Sequence, residues 1–202
     1  MIAPLDELVS ISGPGIGSAA GPGGDNPALE RLLGLRNGFF AFESALLVFP
    51  WGGGGAVPSV QEWNARGSWR SLYPDIPDTV VFFAEDVFGE QFALADGKVE
   101  RFSPETGAFA AFAQDLGGWA EQVLDDFANE TGHPLAHAWQ VANGALSTRV
   151  RLVPRIPFAL GGDYRLDNLV AMDRLRGIEY RAEIARQIRG LPNGTTVSLK
   201  AQ

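Results

Sequence analysis

The alternation of apolar and polar residues predicts a group of antiparallel strands in the middle of the chain. Residues 79–84 (TVVFFA) are β-branched and aromatic, as is typical of a buried strand. Further strands are predicted at residues 91–95, 98–102 and 108–112. Asp96-Gly97 favours a type I′ hairpin turn, because both central positions of that turn need positive φ. The segment therefore predicts a four-stranded meander.

Three segments have the apolar spacing of one-sided, amphipathic helices. The first begins with Asn26 as N-cap and Pro27 at the first helical position, and the second follows Asp115 as N-cap. The third covers residues 178–189, and its spacing places Arg181 on the outer face. The central strands are therefore flanked by helices in the sequence.

The remaining segments are less regular. Residues 39–51 are very apolar and predict a strand followed by a helix. Residues 149–153 (RVRLV) alternate charged and apolar side chains, which predicts a strand with one exposed face. Residues 195–199 (TTVSL) predict a final strand. A G-x-G-x-x-A pattern lies within residues 13–25, but the glycines and proline that follow it favour a linker over a dinucleotide site.

This order of elements predicts an α+β fold, an antiparallel sheet in a meander with helices packed against it. We predict an N-terminal segment with a Gly/Pro-rich linker over residues 1–25 and an α+β domain over residues 26–148. Residues 149–202 are predicted to form a C-terminal αβ extension packed on the same domain.

Charge is unevenly distributed along the 202 residues, whose net charge is −8. Residues 75–130 contain 2 basic and 13 acidic side chains, a net charge of −11, whereas residues 131–202 carry +5. An acidic middle argues against nucleic-acid binding there and favours a basic protein partner; solubility alone is the alternative explanation. The absence of Cys excludes thiolate nucleophiles and cysteine-ligated metals.

Nothing in the sequence has the pattern of a targeting or membrane segment. The first residues contain Asp6 and Glu7 in place of a basic signal region. The longest apolar run, residues 45–51, is far shorter than the roughly 20 residues that a spanning helix needs. We therefore expect a cytoplasmic protein without a membrane partner.

Three carboxylates lie close together in FFAEDVFGEQFAL, residues 82–94, and they are the first candidate for chemistry. On a strand Glu85 and Asp86 would point to opposite faces, and Glu90 follows a glycine where a bend is expected. We predict that these carboxylates lie at solvent around the bend and hold no metal; a catalytic cluster is the alternative.

His133 and His137 have the spacing that places two imidazoles on one helical face, and Glu130 is the candidate for a third ligand. The pattern H-P-L-A-H lacks the glutamate of a zincin helix, so surface histidines without a metal are the expectation. We expect no cofactor. Trp63 and Trp69 precede the sheet, and core packing or a partner interface would each explain them.

Three stretches of the sequence resemble the SUKH superfamily, the Smi/Knr-type domain. They are ALERLLGLRNGFF (28–40), TVVFFAEDVFGEQFALADGKVERFSPETG (79–107) and FAAFAQDLGGWAEQVL (109–124). The matching positions are Asn37, Gly38, Phe83, Ala84, Asp86, Gly89, Leu94, Phe109 and Phe112. Glu90-Gln91 departs from the family pattern, in which many members have an acidic residue followed by an aromatic one.

The resemblance implies an α+β domain without catalytic residues. Bacterial members resemble immunity proteins that bind and neutralise an inter-bacterial polymorphic toxin, and fungal relatives resemble regulators or scaffolds. The expectation is therefore a non-enzymatic protein-binding domain, with a regulator or scaffold as the alternative and a carboxylate-based hydrolase as a third. The predicted partner-binding residues are Glu85, Asp86, Glu90 and Asp96 for steering, with Trp63 or Trp69 as anchor.

Overall fold

The structure is a computed structural model that describes residues 2–18, 26–53, 55–192 and 195. The helices in these ranges are α1 (Pro4–Ile11), α2 (Pro27–Leu35), α3 (Val60–Trp63), α4 (Leu116–Asp125), α5 (Phe127–Thr131), α6 (His133–Asn143) and α7 (Arg174–Ile188). The strands are β1 (Phe39–Ala41), β2 (Leu46–Val48), β3 (Val81–Asp86), β4 (Gln91–Ala95), β5 (Lys98–Ser103), β6 (Ala108–Ala113), β7 (Val150–Pro154) and β8 (Leu169–Asp173).

The main sheet has six strands in the order β1-β2-β3-β4-β5-β6, and every neighbouring pair is antiparallel. The predicted α+β fold with an antiparallel meander is therefore confirmed. The turn at Asp96-Gly97 is also confirmed, because the φ angles are 49° and 79°. The meander is longer than predicted, since β1 and β2 precede the four expected strands.

The prediction of a strand followed by a helix over residues 39–51 is wrong. This segment forms the β1–β2 hairpin, in which Phe39 pairs with Val48. The hairpin turns through Phe42, Glu43 and Ser44, whose φ angles are 51°, 53° and 69°. Left-handed conformations are uncommon at non-glycine residues. Because none of these three residues is glycine, the sequence contained no signal for a turn here.

Two predicted helix starts are confirmed by their capping bonds. Asn26 Oδ1 accepts a hydrogen bond from Leu29 N at 3.1 Å, at the start of α2. Asp115 Oδ1 accepts from Gly118 N at 2.8 Å, at the start of α4. Each cap satisfies a backbone donor that the first helical turn leaves free.

The C-terminal segment forms the β7–β8 hairpin followed by α7. Strand β7 lies where residues 149–153 predicted a strand, but Arg151 is only 1% exposed, so the expected solvent face is absent. Arg181 on α7 is 2% exposed, and its predicted outward orientation is wrong. The strand predicted at residues 195–199 lies largely outside the described residues, as does the second half of the linker.

The apolar core joins the main sheet to helices from both ends of the chain. Leu8 of α1, Leu33 of α2, Trp119 of α4 and Ile178 of α7 belong to one buried cluster with the sheet residues. A smaller cluster lies under the β3–β4 connection and is completed by side chains such as Leu152 of β7. The C-terminal segment therefore packs directly against the turn that contains the candidate carboxylates.

Candidate functional site

The β3–β4 connection, residues 87–90, is organised by the carboxylate of Asp86. Its Oδ1 accepts hydrogen bonds from Phe88 N and Glu90 N, both at 2.9 Å. Gly89 adopts φ +78°, and a Cβ there would lie 2.5 Å from Arg181 Nη2. The glycine therefore allows both the left-handed turn and the close approach of that arginine.

Glu85 forms the centre of a fully buried ionic cluster. Its Oε1 accepts from Arg151 Nε at 2.6 Å and also from Arg174 Nε. Its Oε2 accepts from Gln91 Nε2 at 3.0 Å, and Gln91 Oε1 in turn accepts from Trp63 Nε1 at 2.8 Å. Burial alone would raise the pKa of Glu85, but the two guanidinium groups outweigh it and lower the pKa below its ordinary value.

Two more arginines hold the turn on its other side. Arg101 donates to Asp86 Oδ2 at 3.2 Å and to Glu130 Oε2 at 2.8 Å. Arg181 donates to the carbonyl oxygens of Phe88 at 2.7 Å and Gly89 at 3.2 Å. Side chains from β5 and α7 therefore fix the backbone and the carboxylate of the turn.

Beside the turn lies an open cleft with a volume of about 460 Å³. It is lined by Glu90, Arg101, Ser103, Glu105, Thr106, Ala108, Phe109, Ala110, Phe158, Ala159 and Tyr164. The rings of Phe158 and Tyr164 stack on each other with centroids 3.9 Å apart. Polar and aromatic groups thus converge on one concave surface, which is the usual character of a binding site.

Two carboxylates of the cleft are incompletely compensated. Glu105 is only 2% exposed, and its Oε2 accepts from Ala159 N at 2.8 Å. Its Oε1 is buried and has no hydrogen-bond partner among the described residues. Burial, together with the neighbouring charge of Asp86, raises the pKa of Glu90 to about 8, although Arg181 Nη1 lies 3.7 Å from its Oε1. Burial likewise raises the pKa of Asp86 to about 6 and raises that of Glu105.

Two of the four predicted steering carboxylates are not at solvent. Glu85 is 0% exposed and Asp86 is 2% exposed, so the prediction of an exposed rim is wrong for both. The physical reason is that arginines of the C-terminal segment cover Glu85, while Arg101 covers Asp86. Glu90 keeps a side chain that is 20% exposed at the cleft, and Asp96 is exposed at its hairpin turn.

The predicted tryptophan anchors are also buried, with Trp63 4% and Trp69 1% exposed. Their rings lie 5.4 Å apart in an aromatic cluster that includes Phe49 and Phe82. Both also line a second pocket of about 350 Å³ near α3. Their placement agrees with core packing, which the sequence already offered as one explanation, and leaves little area for a partner.

The residues that sequence reasoning missed are mainly arginines and the second carboxylate of the cleft. Arg181 does carry a signal, since it lies three residues after Ile178 and one before Ala182, within the apolar stripe of α7. Arg151 occupies a strand whose other residues are apolar. Glu105 follows Ser103-Pro104 in what reads as an ordinary turn, and nothing in its sequence context indicates burial.

The two histidines lie away from the cleft. Glu130, the candidate third ligand, forms an ion pair with Arg101 and does not join them. His137 and His133 instead face Glu43 of the β1–β2 turn.

Among the described residues no helix is both long enough and apolar enough to cross a bilayer.

Comparison with known proteins gives a likeness in fold alone. The sequence matches no protein-family model and no curated protein sequence. Three chains of known structure match, and one is the crystal structure of Atu4351 from Agrobacterium tumefaciens, with a TM-score of 0.60. The two chains are 11% identical, and the match covers 88% of this chain and 87% of that chain. This similarity extends over nearly the whole fold and carries no information on activity.

Proposed function

We propose that the protein is a non-enzymatic binding protein whose cleft accepts a basic side chain of a protein partner. The partner that fits best is a basic toxin domain, which would make the protein an immunity protein. The cleft is lined by two carboxylates, Glu90 and Glu105, and by the aromatic residues Phe109, Phe158 and Tyr164. That combination suits a cation attached to an apolar stem.

The observation that carries this proposal is the unpaired Oε1 of Glu105. A buried acceptor without a donor costs on the order of 1–3 kcal/mol, and the cost disappears when a ligand supplies the donor. A guanidinium group is the best match, because its planar N–H groups can bond two carboxylates while its face stacks on an aromatic ring.

The electrostatics of Glu90 support a cation as the missing group. Burial and the charge of Asp86 raise the pKa of Glu90 to about 8, so its ionised form is disfavoured at neutral pH. An incoming positive charge would favour that ionised form and lower the pKa. Binding of a cation at neutral pH would therefore be accompanied by release of a proton.

The charge of the surrounding segment would assist the encounter with such a partner. Residues 75–130 carry a net charge of −11, and Asp96 is one of their exposed carboxylates. Long-range attraction of this kind increases the association rate, whereas the buried contacts set the residence time. Asp96 keeps its predicted steering role in this proposal, and Glu90 becomes a residue of the binding cleft.

The resemblance to the SUKH superfamily supports an immunity protein over other binding roles. A regulator or scaffold with the same fold is the alternative, and it predicts a solitary gene whose deletion alters growth or the cell envelope without any toxin. The immunity protein, in contrast, predicts a neighbouring gene that encodes the toxin.

The alternative of a carboxylate-based hydrolase has one observation in its support, the raised pKa values of Asp86, about 6, and Glu90, about 8. Paired carboxylates with raised pKa values are common in catalytic sites. However, Asp86 Oδ1 already accepts two backbone bonds and its Oδ2 faces Arg101. A general base needs a free oxygen within reach of its substrate, so this geometry favours binding.

The proposal is tested by capture of the neighbouring gene's product on immobilised protein. Wild type should retain it, and Glu90→Gln and Glu105→Gln should each weaken retention by about tenfold or more, since one buried charge-assisted bond is worth about 1.5–3 kcal/mol. Asp96→Asn is the matched control, because it removes an exposed charge and should change mainly the association rate. Equal retention by all four proteins would contradict the cleft as the binding site.

A second measurement addresses the ligand chemistry without knowledge of the partner. N-acetyl-arginine amide is titrated into the protein, with calorimetry in two buffers of different ionisation enthalpy. The heat should differ between buffers for wild type because a proton is released, and the difference should vanish in Glu90→Gln. No binding of the arginine compound, together with unchanged capture by Glu90→Gln, would reject the proposed cleft.

A further inference from the structure

The only two histidines of the chain face one carboxylate at a surface that is separate from the cleft. His133 and His137 lie one turn apart on α6, and Glu43 reaches them from the β1–β2 turn. Glu43 Oε2 lies 2.8 Å from His137 Nδ1, and Glu43 Oε1 lies 3.9 Å from His133 Nε2. One ligand atom of each residue lies within 4.8 Å of the others.

The turn that presents Glu43 is held in place from α6. Phe42, Glu43 and Ser44 all have positive φ, a costly conformation for non-glycine residues that must be stabilised by their surroundings. Gln140 Nε2 donates to the backbone oxygen of Glu43 at 2.9 Å, so the same helix that carries the histidines also fixes this backbone. The carboxylate is therefore positioned relative to both imidazoles.

One side of the cluster is apolar and the other is open to solvent. The ring of His133 packs edge-on against Phe127 at 5.2 Å, and Phe127 stacks on Phe42 at 4.9 Å. The side chains of Glu43 and His137 are 51% and 55% exposed. A group bound between the three residues would thus rest against an aromatic wall and keep a position open to water or to another molecule.

We propose that Glu43, His133 and His137 form a binding site for a divalent transition-metal ion of the Zn²⁺ class. Two imidazoles and one carboxylate are a known protein ligand set for Zn²⁺, with the fourth tetrahedral position left open. Mg²⁺ and Ca²⁺ prefer oxygen ligands and fit this set poorly. Because Zn–N and Zn–O bonds are about 2.0–2.2 Å long, the ligand atoms need only small side-chain rotations from their present separations to surround an ion.

An ion pair without metal is the competing explanation of this geometry. The hydrogen bond to His137 and the charges of the histidines lower the pKa of Glu43. Such an exposed pair contributes little to stability and needs no precise arrangement of a third group. The metal site requires all three residues at once, and this requirement separates the two explanations.

The test uses full-length protein stripped of metal with a chelator. It is titrated with Zn²⁺ by calorimetry and with Co²⁺ by visible absorption. One equivalent of each should bind, and bound Co²⁺ should show the intense visible bands of four-coordinate geometry. Loss of an outer-shell partner alone costs about 10–100-fold in metal affinity, so loss of a direct ligand in His133→Ala or His137→Ala should weaken binding by about 100-fold or more. Glu43→Gln, which keeps the side-chain shape and one oxygen, should weaken binding by about tenfold or more.

Asp96→Asn serves as the control, since it removes an exposed carboxylate at a turn on a different hairpin and should bind both metals as wild type does. Circular dichroism of the metal-free variants verifies their folding. The proposal would be overturned if wild type bound neither metal, or if the three site variants bound the metals as tightly as wild type does. Because none of these residues lines the acidic cleft, the outcome is independent of the proposed partner binding.

Discussion

Glu85→Gln tests the interpretation of the β3 carboxylates as parts of a structural ionic cluster. The wild-type cluster places one carboxylate between the guanidinium groups of Arg151 and Arg174, all at most 5% exposed. The substitution keeps the shape of the side chain but removes the carboxylate that, among the described residues, forms an ion pair with both arginines. It also places an amide N–H₂ in a position where neighbouring donors need an acceptor.

The magnitude follows from burial and from the contacts that are lost. Breaking a buried ion pair by removing one partner costs about 3–5 kcal/mol, because the remaining charges stay desolvated and uncompensated. Arg151 Nη2 already lacks a hydrogen-bond partner among the described residues, and the guanidinium's bond through Nη1 to the backbone oxygen of Val150, at 3.1 Å, brings no compensating charge. Domains are stable by only about 5–15 kcal/mol, so this single change should remove a large fraction of the free energy of unfolding.

Urea denaturation followed by tryptophan fluorescence measures the effect. For an m value of about 2 kcal/mol/M, the midpoint should fall by about 1.5–2.5 M. Asp96→Asn should change it little, since exposed substitutions usually stay within about 0.5 kcal/mol. Arg151→Met combined with Glu85→Gln should cost less than the sum of the single changes, by about 0.5–3 kcal/mol. A loss below about 1 kcal/mol for Glu85→Gln, with additive double-variant behaviour, would refute the buried cluster.

Two further predictions concern the turn between β3 and β4. Because the folded state raises the pKa of Glu90 from 4.5 to about 8, it binds that proton more tightly than the unfolded chain does. This contribution to stability is full below pH 4.5 and is lost as the pH rises to 8. The urea midpoint of wild type should therefore fall over this range more steeply than the midpoint of Glu90→Gln. Parallel pH profiles of the two proteins would contradict the raised pKa of Glu90. Gly89→Ala should lower the free energy of unfolding by about 1–2 kcal/mol through its positive φ, and by more through the Cβ that meets Arg181. Gly190→Ala, at φ +75° with open space around it, is the matched control, and an equal loss for both would show that the approach of Arg181 is unimportant.

Local sequence signals were sufficient for much of the fold. Asn26 and Asp115 are capping residues whose side chains act on the next turn of chain, and Asp96-Gly97 determines its own hairpin. Such interactions lie within a few residues, so they can be read without knowledge of the tertiary structure. The β1–β2 hairpin could not be predicted in this way, because its turn uses left-handed residues of which none is glycine.

The candidate site was less predictable because its contacts join distant parts of the chain. Glu85 and Arg174 are separated by 89 positions, and Glu105 and Ala159 by 54. Alternation along β3 correctly indicates that neighbouring residues point to opposite faces, but it does not tell whether a face is covered. The covering elements here are β7 and α7 on one side and β5 on the other.

The same contacts change what the charge distribution means for binding. The acidic middle of the sequence and its basic C-terminal third suggest two surfaces, yet Arg151 and Arg174 from the basic third neutralise Glu85 inside the molecule. Glu85 is therefore neutralised within the fold, and attraction of a partner depends on the carboxylates that stay at the surface, such as Asp96. Of the carboxylates that line the cleft, Glu90 and Glu105 are incompletely compensated, since their pKa values are raised and Glu105 Oε1 lacks a donor among the described residues. Binding specificity should accordingly depend on these two residues far more than on the total acidity of the segment.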